Sequence, residues 1–377
     1  MSGWMILPEL FASAGLAAQL LSVIAVRHRI RSAPKTMPAP DLPPISVLRP
    51  VCGLENNLET TLRSTFHLTG RDVQILFCAA CPDDPAVPLV EQLIAEYPQA
   101  SARLLIGDDR ISGNPKLNNL VKGWAAASND WIVMADSNLL LPRDYLQELF
   151  ACWTPGTGLV SSPAFGARPG NLWAAVEAAF LNTYQGRWQL LADELGIGFA
   201  QGKTLLWRRD ILEASGGLAA LGREMAEDVA ATKLVRRAGL KVRVARVPFA
   251  HPLGMRTARE VWQRQCRWAR VRRLGFARVY PAEVLGGAAM PAAVLAIAAA
   301  LGWISTAVVP VFFFAWYAGE FALARSAGWP SSGRDILAWM VRDLMLPVLW
   351  IAGWFGSGFT WRGTAMGPRP TESKARP

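Results

Sequence analysis

The sequence predicts an α/β domain built on a mostly parallel sheet and flanked at both ends by helices apolar enough to enter a membrane. Three observations carry that expectation. Short apolar runs (Ile45 to Leu48, Val73 to Cys78, Arg103 to Ile106, Trp131 to Ala135, Gly158 to Ser161) alternate with helix-like stretches over Glu55 to Phe66, Val87 to Tyr97 and Lys116 to Ala127. Such alternation is the pattern of parallel strands joined by crossover helices. An apolar stretch precedes this region and three more follow it, and the whole chain is 52% hydrophobic with mean hydropathy +0.21.

Gly3 to Val26 holds one acidic group, Glu9, and is long enough to span a hydrocarbon core of about 30 Å. Residues 1–30 are therefore expected to be a retained transmembrane anchor, because the basic residues follow the apolar run rather than precede it. Arg27, Arg29, Arg31 and Lys35 come next. Basic residues beside a membrane segment stay in the cytoplasm, so the polar middle is expected at the cytoplasmic face of the inner membrane of a multi-pass protein. A linker over 31–44, with five prolines between Ala33 and Pro44, leads to a catalytic domain over 45–256.

Thr257 and Glu260 have the spacing of a capping box, and 257–281 reads as a basic amphipathic helix. Ala282 to Ile304, Val308 to Ala324 and Ile336 to Gly356 are the apolar stretches of a C-terminal segment, 282–360. The third carries Arg342 and Asp343, which are costly in lipid unless paired or turned to protein, so it is read as crossing, re-entrant or lying along the interface. A polar tail, 361–377, follows, and its part from Gly367 to Pro377 is expected to be disordered.

The formal net charge of +10 is concentrated beside apolar segments. It is therefore assigned to anionic headgroups and a phosphate-bearing ligand rather than to nucleic acid. Five cysteines are scattered through the polar part. Cys78 and Cys81 form a lone CxxC with no second pair, which argues against zinc. The sequence specifies no oligomeric state.

The acidic residues follow the strands, where open α/β sheets bind ligands. Asp136 follows Trp131 to Ala135 and suits Mg²⁺ or Mn²⁺, with a turn aspartate as the competing reading. Asp84, in Pro82-Asp-Asp-Pro85, is either a ligand-facing acceptor or ordinary turn chemistry. Asp228 opens a helix that Gly239 ends. A base there needs burial, or the charge of Glu227, to raise its pKa against the helix N-terminus. Arg264, Arg267 and Trp268 share a helix face that could hold a diphosphate or lie on headgroups. His251, just after a strand, is a candidate second metal ligand or a structural histidine. Asn171 to Leu195 reads as an interfacial or core-packing helix.

Taken in order, Asp84, Asp136, Asp228 and Arg264-Gln-Cys-Arg267-Trp268 resemble the D, D, D, (Q/R)xxRW signature of family-2-type inverting glycosyltransferases with a GT-A fold. Leu48-Arg-Pro-Val-Cys-Gly, Asp83-Asp-Pro-Ala, Asn114-Pro-Lys-Leu-Asn-Asn, Asp136-Ser and Ala226-Glu-Asp resemble ceramide glucosyltransferases over most of 45–275. Trp339, Arg342 and Pro347 extend the likeness into the last apolar segment.

The resemblance implies a UDP-sugar donor, a divalent metal and a membrane-lipid acceptor. It assigns Asp84 and Lys116 to the nucleotide, Asp136 to metal and diphosphate, Asp228 to the base, and Arg264, Arg267 and Trp268 to diphosphate and acceptor. Asp136-Ser-Asn lacks the second Asp of a DxD, which leaves the metal less secure than the fold. The bacterial branch includes hopanoid-biosynthesis glycosyltransferases, and the Ala- and Arg-rich composition suits a high-GC bacterium. The expected reaction is thus transfer of N-acetylglucosamine or glucose to a polyhydroxylated hopanoid. Ceramide glucosylation is the alternative, and a processive polysaccharide synthase or a non-catalytic lipid-binding scaffold are the lesser readings.

Overall fold

The computed structural model describes residues 3–33, 42–70, 72–356, 358–361 and 364–366. Most of the expected linker and the expected polar tail lie outside the described residues. Strands β1 (Ile45–Val51), β2 (Val73–Ala79), β3 (Ser101–Ile106), β4 (Trp131–Ala135), β5 (Thr157–Ser161), β7 (Thr204–Arg208) and β8 (Lys241–Val244) form one sheet in the order β3-β2-β1-β4-β7-β5-β8. A second, two-stranded parallel sheet pairs β6 (Ala164–Pro169) with β9 (Phe249–Gly254). Every contact in the main sheet is parallel except the two that β7 makes, with β4 and β5. The mostly parallel α/β expectation therefore holds. The five expected strands correspond to β1 to β5 within a few residues at each end.

Helices cover the sheet: α2 (Leu58–Arg63), α3 (Val87–Glu96), α4 (Pro115–Ala126), α5 (Tyr145–Phe150), α8 (Arg209–Ala214), α9 (Gly217–Leu221) and α10 (Glu227–Arg237). β1 is buried at all seven positions, as a central strand covered on both faces must be. α4 begins where Asn114 accepts from the Lys116 and Leu117 amides with Pro115 at the first helical position, a strong start signal. Its Asn119 amide then donates to the Val51 and Cys78 carbonyls at 3.2 and 2.7 Å. This ties the helix to the tips of β1 and β2.

A nearly continuous helix follows β6: α6 (Leu172–Ala179), a π-helical segment (Phe180–Gly186) and α7 (Arg187–Glu194). It lies against α1 (Leu7–Ser32), α11 (Ala258–Gly275), α13 (Val308–Ala327) and α14 (Gly333–Trp354). Among the described residues α1, α13 and α14 are long and apolar enough to cross a membrane. The stretch expected to run unbroken from Ala282 to Ile304 instead bends by 63° between a 3₁₀ turn (Tyr280–Gly286) and α12 (Ala289–Ala300). The break coincides with Gly287, where a Cβ would lie 2.5 Å from Leu346 and 2.8 Å from the Asp343 carboxylate. The close approach of α14 thus requires glycine there.

Arg29 departs from its expected place among headgroups. It is buried, 2.9 Å from Asp193, and donates to the Val244 and Ala245 carbonyls, so it fastens the end of α1 to the α/β domain.

The loop after β4 is fixed from below by Arg49 of β1, fully buried, whose Nη2 donates to the Thr61, Ser137 and Leu139 carbonyls at 3.0–3.1 Å. Burial pulls this guanidinium down to about 10, against the pull of Tyr145 and Asp136. Arg49→Met is expected to strip the Leu139 carbonyl of its donor, while the Ser137 and Thr61 carbonyls keep Thr61 Oγ1 and Ser64 Oγ, and to lower unfolding stability by about 1–3 kcal/mol, measured by chemical denaturation in detergent.

Candidate active site

The expected site residues come from several elements: Asp84 follows β2, Asp136 follows β4, Lys116 is in α4, Asp228 in α10, His251 in β9, and Arg264, Arg267 and Trp268 in α11. Asp136 follows β4 and has both carboxylate oxygens engaged, Oδ1 by Lys116 Nζ at 2.6 Å and Oδ2 by Lys203 Nζ at 3.1 Å. Burial works to raise its pKa, but the two ammonium groups outweigh it and bring it to about 2. Asp136 is therefore ionised throughout the physiological range, and 22% of its side chain stays open.

Lys116, in the first turn of α4, also contacts Glu227 Oε1 at 2.7 Å and donates to the Gly202 carbonyl at 2.5 Å. Burial alone would lower its pKa. The charges of Asp136 and Glu227 raise it instead, so the lysine stays cationic. Gly202 leaves the space this needs, since a Cβ there would lie 2.7 Å from Glu227 Oε1.

Glu227 and Asp228 are the first two residues of α10. Asn114 donates to Glu227 Oε2 at 2.8 Å. Asp228 Oδ2 accepts from the Gly202 amide at 2.9 Å and Oδ1 from the Val229 amide at 2.8 Å. Burial first, and then the neighbouring Glu227 charge, raise Asp228 to about 6, against the opposing pull of the two amides and Lys116. The helix N-terminus would favour the anion, but burial overrides it. Within one small site the surroundings push two aspartates in opposite directions, which separates a permanent anion from a group that can take up a proton near neutrality.

Asp84 lies apart from this knot. Its carboxylate accepts from the Gly53 amide at 2.8 and 3.0 Å and from the Ala86 amide at 2.8 Å. It joins the loop after β1 to the turn after β2, and Gly53 at φ +66° makes that loop possible.

Arg264, Arg267 and Trp268 project from α11, which begins at the expected capping box of Thr257 and Glu260. Arg264 is ion-paired with Glu177 of α6, a carboxylate with a side-chain exposure of 0% that also holds Arg256 Nε at 3.1 Å. Trp268 packs on Ala174, Ala178, Leu181 and Leu253. His251, in β9 rather than after it, is 1% exposed and its Nδ1 has no hydrogen-bond partner. Burial and the cations Lys203, Arg264 and Arg256 hold it neutral.

Toward a divalent cation His251 offers an open nitrogen and Asp136 further lone pairs, yet cations already stand at both, Lys116 and Lys203 at Asp136 and Lys203, Arg264 and Arg256 around His251. The fit is partial, because among the described residues no three His, Cys, Asp or Glu side chains converge on one point. All five cysteines are free.

Sequence reasoning missed Lys203 and Glu177. Glu177 was detectable as the one acid in the apolar run Leu172-Trp-Ala-Ala-Val-Glu-Ala-Ala, since a lone buried carboxylate demands a partner. Lys203 had only the flanking Gly202 as a hint. Its role depends on β7 running antiparallel to β4, and no local pattern gives that.

Glycosyl transferase family 21 matches residues 8–373. The chain belongs to that family. Ceramide glucosyltransferase 1 of Caenorhabditis elegans is 24% identical over 91% of this chain and 76% of its own length. The ceramide glucosyltransferase of Komagataella phaffii is 36% identical over 28% of this chain and 22% of its own length. Among solved structures, the mannosyltransferase PcManGT from Pyrobaculum calidifontis, in complex with GDP-Man and Mn²⁺, matches with TM-score 0.50 at 18% identity, covering 89% of this chain and 99% of that one. The fold is that of a GT-A glycosyltransferase, and the family member described here is a hexosyltransferase.

Glu177→Gln removes the charge that holds Arg264 and Arg256. The expected result is a loss of about 3–5 kcal/mol in stability, the range for breaking a buried ion pair, read by thermal unfolding in detergent. Arg264→Lys, which keeps the charge, should cost less.

Proposed function

We propose that the protein transfers one hexose, with inversion, from a UDP-hexose to the primary hydroxyl of a ceramide-type membrane lipid at the cytoplasmic face. The observation that carries the reading is the pair of oppositely tuned aspartates beside a cationic rim. Family membership and the names of the curated relatives favour ceramide over the polyhydroxylated hopanoid to which the sequence alone leaned, and glucose over N-acetylglucosamine.

In this reading the chain divides as its sequence suggests: an anchor over 1–30, a linker over 31–44, the catalytic domain over 45–256, the Arg-Trp helix over 257–281, membrane helices over 282–360 and a polar tail over 361–377. Asp84 and Lys116 face the nucleotide, Lys116 through the charge it presents beside Asp136. Asp136 and His251 would hold the divalent metal, which supplies positive charge for the leaving diphosphate. Arg264 and Arg267 lie against the same diphosphate, as bidentate guanidiniums do, and Trp268 shapes the acceptor side. Asp228 takes the proton from the acceptor hydroxyl as that oxygen attacks the anomeric carbon and UDP departs.

Two acceptors distinguish the finer readings. Purified protein in lipid nanodiscs, given UDP-glucose and equal amounts of ceramide and a polyhydroxylated hopanoid, is expected to yield glucosylceramide as the main lipid product by mass spectrometry. A product formed only on the hopanoid would restore that acceptor, and growth of a polymer would support a synthase.

Asp228→Asn is expected to lower turnover by about 10²- to 10⁴-fold, the usual contribution of a general base. In the wild type the rate should fall about tenfold per pH unit below about 6. Stability moves the other way. With the folded pKa raised above 3.8, the proton stabilises the fold at acid pH, and that contribution is lost as pH rises through about 6. Asp228→Asn should therefore raise the melting temperature at pH 7.5 and leave it nearly unchanged below pH 4.

A further inference from the structure

α14 passes the length and hydropathy test for a membrane span, yet its contacts are those of a helix lying down. At 22 residues it is about 33 Å long, and a crossing helix of that length would leave the catalytic domain after one end. α14 touches that domain at its start and middle, and at its far end it touches α11 and the 3₁₀ turn that follow the domain in sequence. Arg334 donates to the Pro169 carbonyl at 3.0 Å, just before α6. Arg342, at mid-helix, donates to Thr183 Oγ1 at 2.7 Å and the Ala179 carbonyl at 3.4 Å. At the far end Trp350 and Tyr280 exchange hydrogen bonds at 2.9 and 3.1 Å, and Arg273 of α11 donates to the Trp354 and Gly356 carbonyls at 3.3 and 2.9 Å. Arg270 reaches the Gly358 carbonyl at 3.0 Å.

The two faces of α14 differ accordingly. Arg342 and Asp343 are buried toward α6 and α13, where Glu320 lies 2.8 Å from Arg342. Leu337, Met340, Leu344, Val348, Ile351 and Phe355 recur at steps of three or four and are exposed, Leu344 by 70% and Phe355 by 69%. We propose that α14 does not cross the bilayer but lies along its surface on the catalytic-domain side, with this stripe sunk among the acyl chains. The occupant of the stripe is lipid. The stripe runs from the end of α13, a candidate span, and basic residues stand at both ends: Arg334 beside Pro169, and exposed Arg278 next to the turn that holds Trp350. An apolar face ending in arginines fits the boundary of an anionic membrane. The consequence is that both ends of α14 lie on the same side as Asp228, and the face that carries Arg264 is held at a fixed height over the lipid. The inference rests on the membrane reading above but not on the identity of the sugar or acceptor.

The test uses the full chain in sealed vesicles of one orientation. Ser331→Cys and Ser373→Cys variants are treated with a membrane-impermeant maleimide and analysed peptide by peptide, with exposed Cys52 and Cys81 as markers of the catalytic side. Positions 331, 373, 52 and 81 should all react from one side. Labelling of 373 only from the side opposite 331 would overturn the proposal. Independently, nitroxides at Leu337→Cys, Leu344→Cys and Ile351→Cys should report one shallow depth in the bilayer. Depths that change by about 10 Å from one to the next would show a crossing helix. Exposure of all three to water, or shielding of all three from both water-soluble and lipid-soluble relaxants, would overturn lipid as the occupant, the latter in favour of a second copy of the chain.

Discussion

The ammonium group of Lys116 stands between two carboxylates brought together from separate parts of the chain, Asp136 at the end of β4 and Glu227 at the start of α10. Two anions at such separations repel strongly in a medium of low dielectric. The lysine makes their approach possible, and both its position and its charge are fixed by the fold. The Asn114 cap sets where α4 begins, Gly202 leaves the space, and Arg49 holds the loop that carries Asp136. Removing the cation would leave uncompensated buried charge, which is costlier than losing an attraction.

From this arrangement the division of chemistry follows. Asp136, beside two lysines, is a permanent anion. Asp228, one residue beyond Glu227 and partly buried, can change its charge near neutrality. Arg264 reaches the rim because Glu177 and the capping box of α11 hold it there. Glu177 belongs to the helix whose π-helical continuation carries Thr183, the partner of Arg342 on α14. One stiff element thus joins the proposed site to the long apolar helices α13 and α14. A π-helical turn at such a junction fits the frequent occurrence of π-bulges at functional sites.

Much of this was legible in the sequence because the signals were local. β1 to β5 were marked by short apolar runs, α4 by the helix-like stretch from Lys116 to Ala127, and α11 by Thr257 and Glu260. The aspartates and the Arg-Trp motif were found by their order. Long-range features were not legible. The antiparallel β7, which delivers Lys203 to Asp136, has no signature that separates it from a parallel strand. The break at Gly286-Gly287 was hidden within an apolar run, because the requirement for glycine comes from α14, more than fifty residues later. Arg29 was counted with the headgroup-facing residues, since sequence cannot distinguish a basic residue in solvent from one paired with Asp193. Arg342 and Asp343 were recognisable as a problem in lipid, and the solution, Glu320, required the packing.

The account depends on direct displacement at the anomeric carbon, with Asp228 activating the acceptor. Its most direct test is the anomeric configuration of the lipid product formed from UDP-α-glucose, read from the proton coupling of the sugar in a nuclear magnetic resonance spectrum. A single-step transfer predicts the β-glycoside. An α-linked product, or glucose released to water with no lipid product, would contradict it.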